Sequence, residues 1–262
     1  MTGYRTILFE RKDAIARITL NRPDKLNSFT REMLTELHAA IAEVAADPSL
    51  RLLILAGSGR AFGAGQDLRE AGAIGGPAAV REQLSQFYDP VMRGLAGLEI
   101  PTIAAVNGIA AGASCGLALS CDLIVAARSA TFLMAFARIG LVPDGGATYW
   151  LPRRIGLTRA LGMTLLAEPI TAEQAERWGL IWECVDDEAL APRIEALAQQ
   201  LANGPTRAYA LAKRAFQGSA AHNFEQQLVL EAELQALAAG TADSREGIAA
   251  FLEKRAPKFH GH

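Results

Sequence analysis

Three short apolar runs constrain the fold more than any other feature of this chain. Residues 52–56, 102–106 and 123–126 are each about one strand long and carry no polar alternation. Such runs fit strands covered on both faces. Helical spacing occupies the intervals at 78–98 and 113–120. Strands alternating with helices predict crossover connections and parallel pairing, hence an α/β fold. Upstream, residues 6–10 and 14–20 alternate around the polar Arg11-Lys12-Asp13, which predicts a hairpin. Thr30 is placed to cap a helix bearing Met33, Leu34, Leu37, Ile41 and Val44, with Asp47-Pro48 as its stop.

Beyond Asp144 the pattern turns helical, with predicted segments at 148–155, 158–166, 171–178, 188–201, 206–216, 224–239 and 244–255. We therefore divide the chain into a core, 1–192, and a C-terminal helical region, 193–262. Leu228, Leu230, Leu234, Leu237, Ile248, Phe251 and Leu252 give that region more apolar surface than a solitary appendage hides, which predicts self-association.

Length and charge set outer bounds. At 262 residues the chain supports one large core rather than two full domains. A net charge of -2 without a basic stripe argues against nucleic acid or an anionic membrane as partner. No run approaches the roughly 20 apolar residues of a membrane span, and the first residues lack the apolar core of a secretory signal. Three cysteines without metal-ligand spacing read as free thiols in a reducing compartment, so the expected location is cytoplasmic. His38, His222, His260 and His262 are dispersed, so neither a metal site nor a histidine relay is expected.

Two glycine-rich turns carry the first chemical signal. Arg60-Ala61-Phe62-Gly63-Ala64-Gly65-Gln66-Asp67-Leu68 and Asn107-Gly108-Ile109-Ala110-Ala111-Gly112-Ala113 each follow a buried run. The second leads straight into a helix, whose first amides have no internal partner. If the turns converge, their amides form an oxyanion hole worth roughly 3–4 kcal/mol per donor. Alternatively the glycines and alanines only permit turning and tight packing. Asp144, in Val142-Pro143-Asp144-Gly145-Gly146, has two readings as well: a helix N-cap worth roughly 1 kcal/mol, or a carboxylate facing a pocket.

These segments, together with Asn21-Arg22-Pro23-x-x-x-Asn27 near the start and Phe251-Leu252-Glu253-Lys254-Arg255 at the end, resemble the enoyl-CoA hydratase/isomerase (crotonase) superfamily along nearly the whole chain. The resemblance implies a crotonase-like spiral of ββα units with a C-terminal helical trimerisation region, assembled as trimers or dimers of trimers. It implies an acyl-CoA thioester substrate and no cofactor beyond the coenzyme A of that substrate. The amides of Gln66 and Ala113 would hold the thioester oxygen. Coenzyme A and acyl contacts would fall on Lys25, Leu26, Ala64, Gly65, Asp67, Leu68, Phe87, Gly112 and Phe136, with Phe251 and Lys254 supplied by a neighbouring subunit. A solvated surface lysine is the competing reading for Lys25 and Lys254.

The departures are as informative as the matches. The two glutamates of the family's hydratases align with Gly116 and Phe136, neither of which moves a proton. Water addition needs both a base and an acid, so hydration is disfavoured. The family's isomerases place a carboxylate at the turn of Asp144, and one carboxylate suffices to remove a proton and return it elsewhere. Further stretches, Phe87-Tyr88-Asp89-Pro90, Met134-Ala135-Phe136, Trp178-Gly179-Leu180-Ile181-Trp182 and Arg245-Glu246-Gly247, are similar to one branch of the superfamily. That branch converts 2-(1,2-epoxy-1,2-dihydrophenyl)acetyl-CoA to its oxepin form and is associated with shifting the double bond of dehydroadipyl-CoA. Leu133, Phe136, Phe87, Tyr88 and Trp150 are the candidates to line a pocket for the ring. The rival readings are a Δ3,Δ2-enoyl-CoA isomerase, a hydratase-like enzyme of fatty-acid oxidation, an RNA-binding member and an inert acyl-CoA binder.

Overall fold

The computed structural model describes residues 3–71 and 76–262. Its strands are β1 (Ile7–Lys12), β2 (Ile15–Leu20), β3 (Leu52–Gly57), β4 (Ala61–Gly63), β5 (Thr102–Val106), β6 (Ile109–Ala111), β7 (Leu123–Ala127), β8 (Thr131–Leu133), β9 (Ile170–Thr171) and β10 (Glu183–Val185). The predicted hairpin is present, with a tighter turn at Asp13. The three apolar runs became β3, β5 and β7, the parallel centre of a sheet ordered β1-β2-β3-β5-β7-β10.

A second sheet, β4-β6-β8-β9, was not predicted. Its strands have three residues or fewer, too short to display a period of two. Each of β3, β5 and β7 is followed by a short strand of the second sheet and then by helix. This is the ββα spiral that the resemblance implied. Because β4, β6 and β8 run parallel, their C-terminal loops leave the sheet on one edge.

The helices are α1 (Arg31–Ala46), α2 (Leu68–Ala71), α3 (Gly76–Gln83), α4 (Asp89–Ala96), α5 (Ala113–Leu119), α6 (Ala147–Leu166), α7 (Ala172–Trp178), α8 (Leu190–Ala202), α9 (Thr206–Ser219), α10 (Phe224–Ala239) and α11 (Ala242–Glu253). Thr30 caps α1 by accepting from the Met33 amide, and the predicted apolar positions are buried. The helix expected over 78–98 is instead α3 and α4 joined by a π-helical turn, Leu84–Tyr88. Such a turn re-aims the side chains that follow it. The helices predicted at 148–155 and 158–166 form one run, α6, broken at Gly156, whose φ of 76° and ψ of 161° no helix accommodates.

The division at 192/193 falls inside α8, whose Ile194, Leu197 and Ala198 are buried. That helix packs on β3, β5 and β7 and belongs with the core, so we propose that the oligomerisation region starts at α9. Within it Leu234 is buried, whereas Leu228, Leu237, Ile248, Phe251 and Leu252 face outward. The last residues fold back onto the molecule: Asp243 accepts hydrogen bonds from the His260 and Gly261 amides at 2.6 and 2.7 Å. All three cysteines are free thiols. Among the described residues, no helix is long and apolar enough to cross a membrane.

Candidate active site

The two glycine-rich turns meet. The turn after β4 approaches the turn between β6 and α5 so closely that a Cβ on Gly65 would lie 2.9 Å from the Ala111 carbonyl oxygen and 3.5 Å from the Ala113 nitrogen. Gly112, at φ 53° and ψ -128°, adopts a conformation that side-chain-bearing residues avoid. Buried Ser114 joins the turns, its Oγ accepting from the Gly65 amide at 3.0 Å. Gly63 makes room for this contact, since a Cβ there would stand 2.4 Å from Ser114 Oγ. Sequence reasoning missed Ser114, because nothing local distinguishes it from a helix-packing residue.

The orientation of Gln66 follows from its pairing. Phe29 bridges to Gln66 in parallel sense: its amide donates to Gly65 O at 2.7 Å, and its carbonyl accepts from Asp67 N at 2.9 Å. In a parallel bridge the central residue's own N–H points away from the partner strand. The Ala113 amide stands at the start of α5, where no helical carbonyl precedes it. Among the described residues, neither amide finds an acceptor. Removing the Ser114 hydroxyl leaves the buried Gly65 amide unsatisfied, at a cost of about 1–3 kcal/mol. We expect Ser114→Ala to lower the melting temperature and to reduce kcat roughly tenfold, measured by thermal unfolding and turnover. Unchanged values for both would contradict this role.

The third turn carries the acid. Asp144 does not cap α6: the N-cap residue is Gly146, and no side chain bonds the helix start. Only the backbone oxygen of Asp144 is engaged, accepting from Ala147 N at 3.0 Å. Its carboxyl Oδ1 is buried without a partner among the described residues. Burial pushes the carboxyl up to about 6, and the nearby Asp89 charge adds to the effect. The same turn explains the missing glutamate. A Cβ on Gly116 would sit 2.7 Å from the Gly145 carbonyl oxygen and 3.5 Å from that of Asp144. The backbone that delivers Asp144 therefore occupies the space a side chain at 116 needs. Phe136, at the second glutamate position, is buried with its ring edge against Gly112.

The other predicted positions divide. Leu26 lies beside the first turn, its carbonyl accepting from the Ala64 amide at 2.9 Å. Lys25 and Leu68 are exposed. Asp67 serves the loops rather than standing free. Burial opposes its ionisation, yet bonds from Arg22 at 3.1 Å and the Arg69 amide hold its carboxyl below the ordinary range. Phe87 turns towards Arg31, whose guanidinium carbon lies 5.6 Å from the ring centre. Its neighbour Tyr88 is buried, which pushes its hydroxyl well above the ordinary tyrosine range, with the Asp144 and Glu70 charges adding to the effect. Trp150 reaches back to Gly146 and also lines a separate cavity of about 750 Å³ with Tyr149, Arg153, Tyr209 and Phe216. Phe251 and Lys254 stand exposed at the end of α11, outside this group of residues.

Two unpartnered backbone amides and the half-buried carboxyl of Asp144 thus come from three neighbouring turns, and comparison with known proteins gives the class. The model of the enoyl-CoA hydratase/isomerase family matches residues 10–262, and the chain belongs to this family. It is 46% identical to 1,2-epoxyphenylacetyl-CoA isomerase of Escherichia coli (strain K12) over 257 residues, covering 97% of this chain and 98% of that one. It is also 46% identical to a protein of Rhodobacter capsulatus named probable enoyl-CoA hydratase, over 99% of both chains. Among solved structures, enoyl-CoA hydratase subunit I of Geobacillus kaustophilus HTA426 superposes with a TM-score of 0.94 at 36% identity, covering 100% of both chains. The crotonase fold is thus common to the chain and its relatives.

Proposed function

We propose that this chain is an acyl-CoA isomerase that converts ring-1,2-epoxyphenylacetyl-CoA to oxepin-CoA in phenylacetate degradation and also shifts 3-enoyl-CoA double bonds. The observation carrying this reading is the half-buried carboxyl of Asp144, whose Oδ1 is buried without a partner among the described residues, with Gly116 and Phe136 where a hydratase needs glutamates. The Gln66 and Ala113 amides polarise the thioester oxygen, which stabilises the enolate formed when the adjacent carbon loses its proton. Asp144 takes that proton and returns it along the conjugated system. No water is added and no atom is lost. For the ring epoxide, the same polarisation assists reorganisation of the C–O bonds within one molecule. Coenzyme A is the only cofactor moiety in this scheme and arrives with the substrate.

The relative named 1,2-epoxyphenylacetyl-CoA isomerase supports the substrate assignment. A second reading, an enoyl-CoA hydratase, draws on the equally similar Rhodobacter protein; Δ3,Δ2-isomerisation of linear chains alone is a third. Side-by-side turnover separates them. Activity on the ring epoxide and on a 3-enoyl-CoA, without hydration of a 2-enoyl-CoA, is the expected pattern. Hydration as the dominant activity would overturn the proposal.

The exposed apolar faces of α10 and α11 support assembly into trimers or dimers of trimers in the cytoplasm. In that assembly Phe251 and Lys254 of one copy join Lys25 and Leu26 of the next around coenzyme A. Sedimentation equilibrium is expected to give a multiple of three times 27.9 kDa. The single-chain mass would contradict it.

A further inference from the structure

Tyr88 presents a buried hydroxyl that the isomerase scheme does not use. The residue is 2% exposed, and its OH has no partner among the described residues. Leaving a hydroxyl unpaired inside a protein costs about 1–3 kcal/mol. Phenylalanine would fill the same space without that cost, so apolar packing does not account for the oxygen.

Its surroundings connect it to the three turns of the candidate site. The Tyr88 ring makes an edge contact with Phe29, centroids 6.2 Å apart, and Phe29 is the residue that bridges to Gln66. One helical turn further on, Met92 reaches the Asp144 turn, its terminal methyl 3.1 Å from where a Gly145 Cβ would stand. Gly145 in turn abuts Ala113, whose Cα lies 3.8 Å from the same point. Phe29, Tyr88, Met92 and the Asp144 turn therefore close a ring of contacts with the two oxyanion turns. Three buried side-chain oxygens lack partners among the described residues, and two of them, Tyr88 OH and Asp144 Oδ1, belong to this ring. The third, Asn107 Oδ1, follows β5, on a side chain that bonds Gly59 O through its amide. Burial raises the Tyr88 hydroxyl, and the charges of Asp144 and Glu70 add to the effect.

We infer that Tyr88 is a specificity-determining hydrogen-bond donor to an oxygen carried by the acyl group, beyond the thioester carbonyl. This inference rests on the isomerase reading and deepens it. An acyl-CoA whose ring bears an epoxide, ether or hydroxyl oxygen satisfies the tyrosine, while a pure hydrocarbon chain leaves it unpaired. A site that contains a buried donor discriminates against ligands lacking the matching acceptor. Tyr88 keeps its proton throughout: burial, reinforced by Asp144, drives its hydroxyl well above the ordinary tyrosine range. It stabilises negative charge gathering on the oxygen as the C–O bonds rearrange, while Asp144 performs the proton transfer. No bond to Tyr88 forms or breaks.

Tyr88→Phe tests this with two substrates and one stability measurement. We expect kcat/KM for the ring epoxide to fall about 50-fold, while that for a linear 3-enoyl-CoA stays within about threefold. The melting temperature should hold or rise, because the variant removes an unpaired buried polar atom. Equal losses on both substrates, or no loss on either, would overturn the inference without touching the role of Asp144. A wild-type protein inactive on the ring epoxide would instead overturn the substrate assignment. Calorimetric binding then decides the tyrosine's role independently. Wild type should prefer 2-hydroxyphenylacetyl-CoA to phenylacetyl-CoA about tenfold, and Tyr88→Phe should lose that preference. The same ratio in both proteins would contradict it.

Discussion

Asp144→Asn should abolish isomerisation and stabilise the fold at once. Loss of the only proton-transferring group proposed for the site is expected to lower kcat by about 10³-fold or more. The stability effect follows from the position of its pKa. The folded chain holds the Asp144 proton up to about pH 6, whereas an ordinary aspartate releases it near 3.8. Stability therefore falls as pH rises between those values, and the full penalty is present above about 6. An amide of the same shape escapes the penalty. We expect a gain of about 2 kcal/mol at pH 8, moderated because Asp144 is only half-buried, and no gain below about pH 3.8. Denaturant melts at both pH values check this. In the wild type, kcat/KM should fall as acid protonates the base below about pH 6. An active variant would show that Asp144 is not the base, and a variant whose gain over wild type is no larger at pH 8 than at pH 3.5 would show that it is not a buried charge.

Gly116→Glu, the substitution that formally restores a hydratase acid, should fail. The first atom of any side chain at 116 meets the Gly145 carbonyl oxygen at 2.7 Å, and that oxygen belongs to a turn whose Gly145 and Gly146 both have positive φ. The obstacle is backbone, which no rotamer change relieves. The expected cost is at least about 3 kcal/mol, with loss of isomerase activity because Asp144 moves with the turn. Gly116→Ala should show much of the same destabilisation, which separates the collision from the effect of adding charge. Chemical denaturation of the two variants gives the answer. A stable Gly116→Glu protein that hydrates 2-enoyl-CoA would mean that the turn yields easily. A stable, inactive Gly116→Glu would place the defect in the chemistry rather than in the fold.

The large sheet, apart from its edge strand β10, was legible in the sequence because β3, β5 and β7 are uniformly apolar and flanked by turns. The small sheet was not. β4 and β6 lie inside glycine-rich stretches that read as loops, and only parallel pairing within the small sheet makes them strands. The two glycine-rich turns were legible as turns, since glycine at positive φ leaves a compositional trace. Their convergence was not, because it depends on Ser114 and on the space left at Gly63. For Asp144 the sequence left two readings open: Pro-Asp-Gly-Gly suits a cap as well as a pocket. Two consecutive glycines at positive φ remove the cap reading by passing the capping position to Gly146. The absence of acid at Gly116 was visible, but its cause, a backbone oxygen in the way, belongs to tertiary packing. Tyr88 was readable only as a pocket aromatic. Its burial, beside a Phe87 that is only partly buried, falls in the π-helical turn, which apolar periodicity does not reveal.

The most direct test of the single-carboxylate account is incubation of the wild type with a 3-enoyl-CoA in D₂O, with the products read by mass spectrometry and NMR. One half-buried carboxylate moving one proton should give the conjugated 2-enoyl-CoA, with part of the product retaining the original hydrogen at its new position. Accumulation of 3-hydroxyacyl-CoA, heavier by one water, would contradict the account, because it requires the second proton-transferring group that Gly116 and Phe136 do not supply.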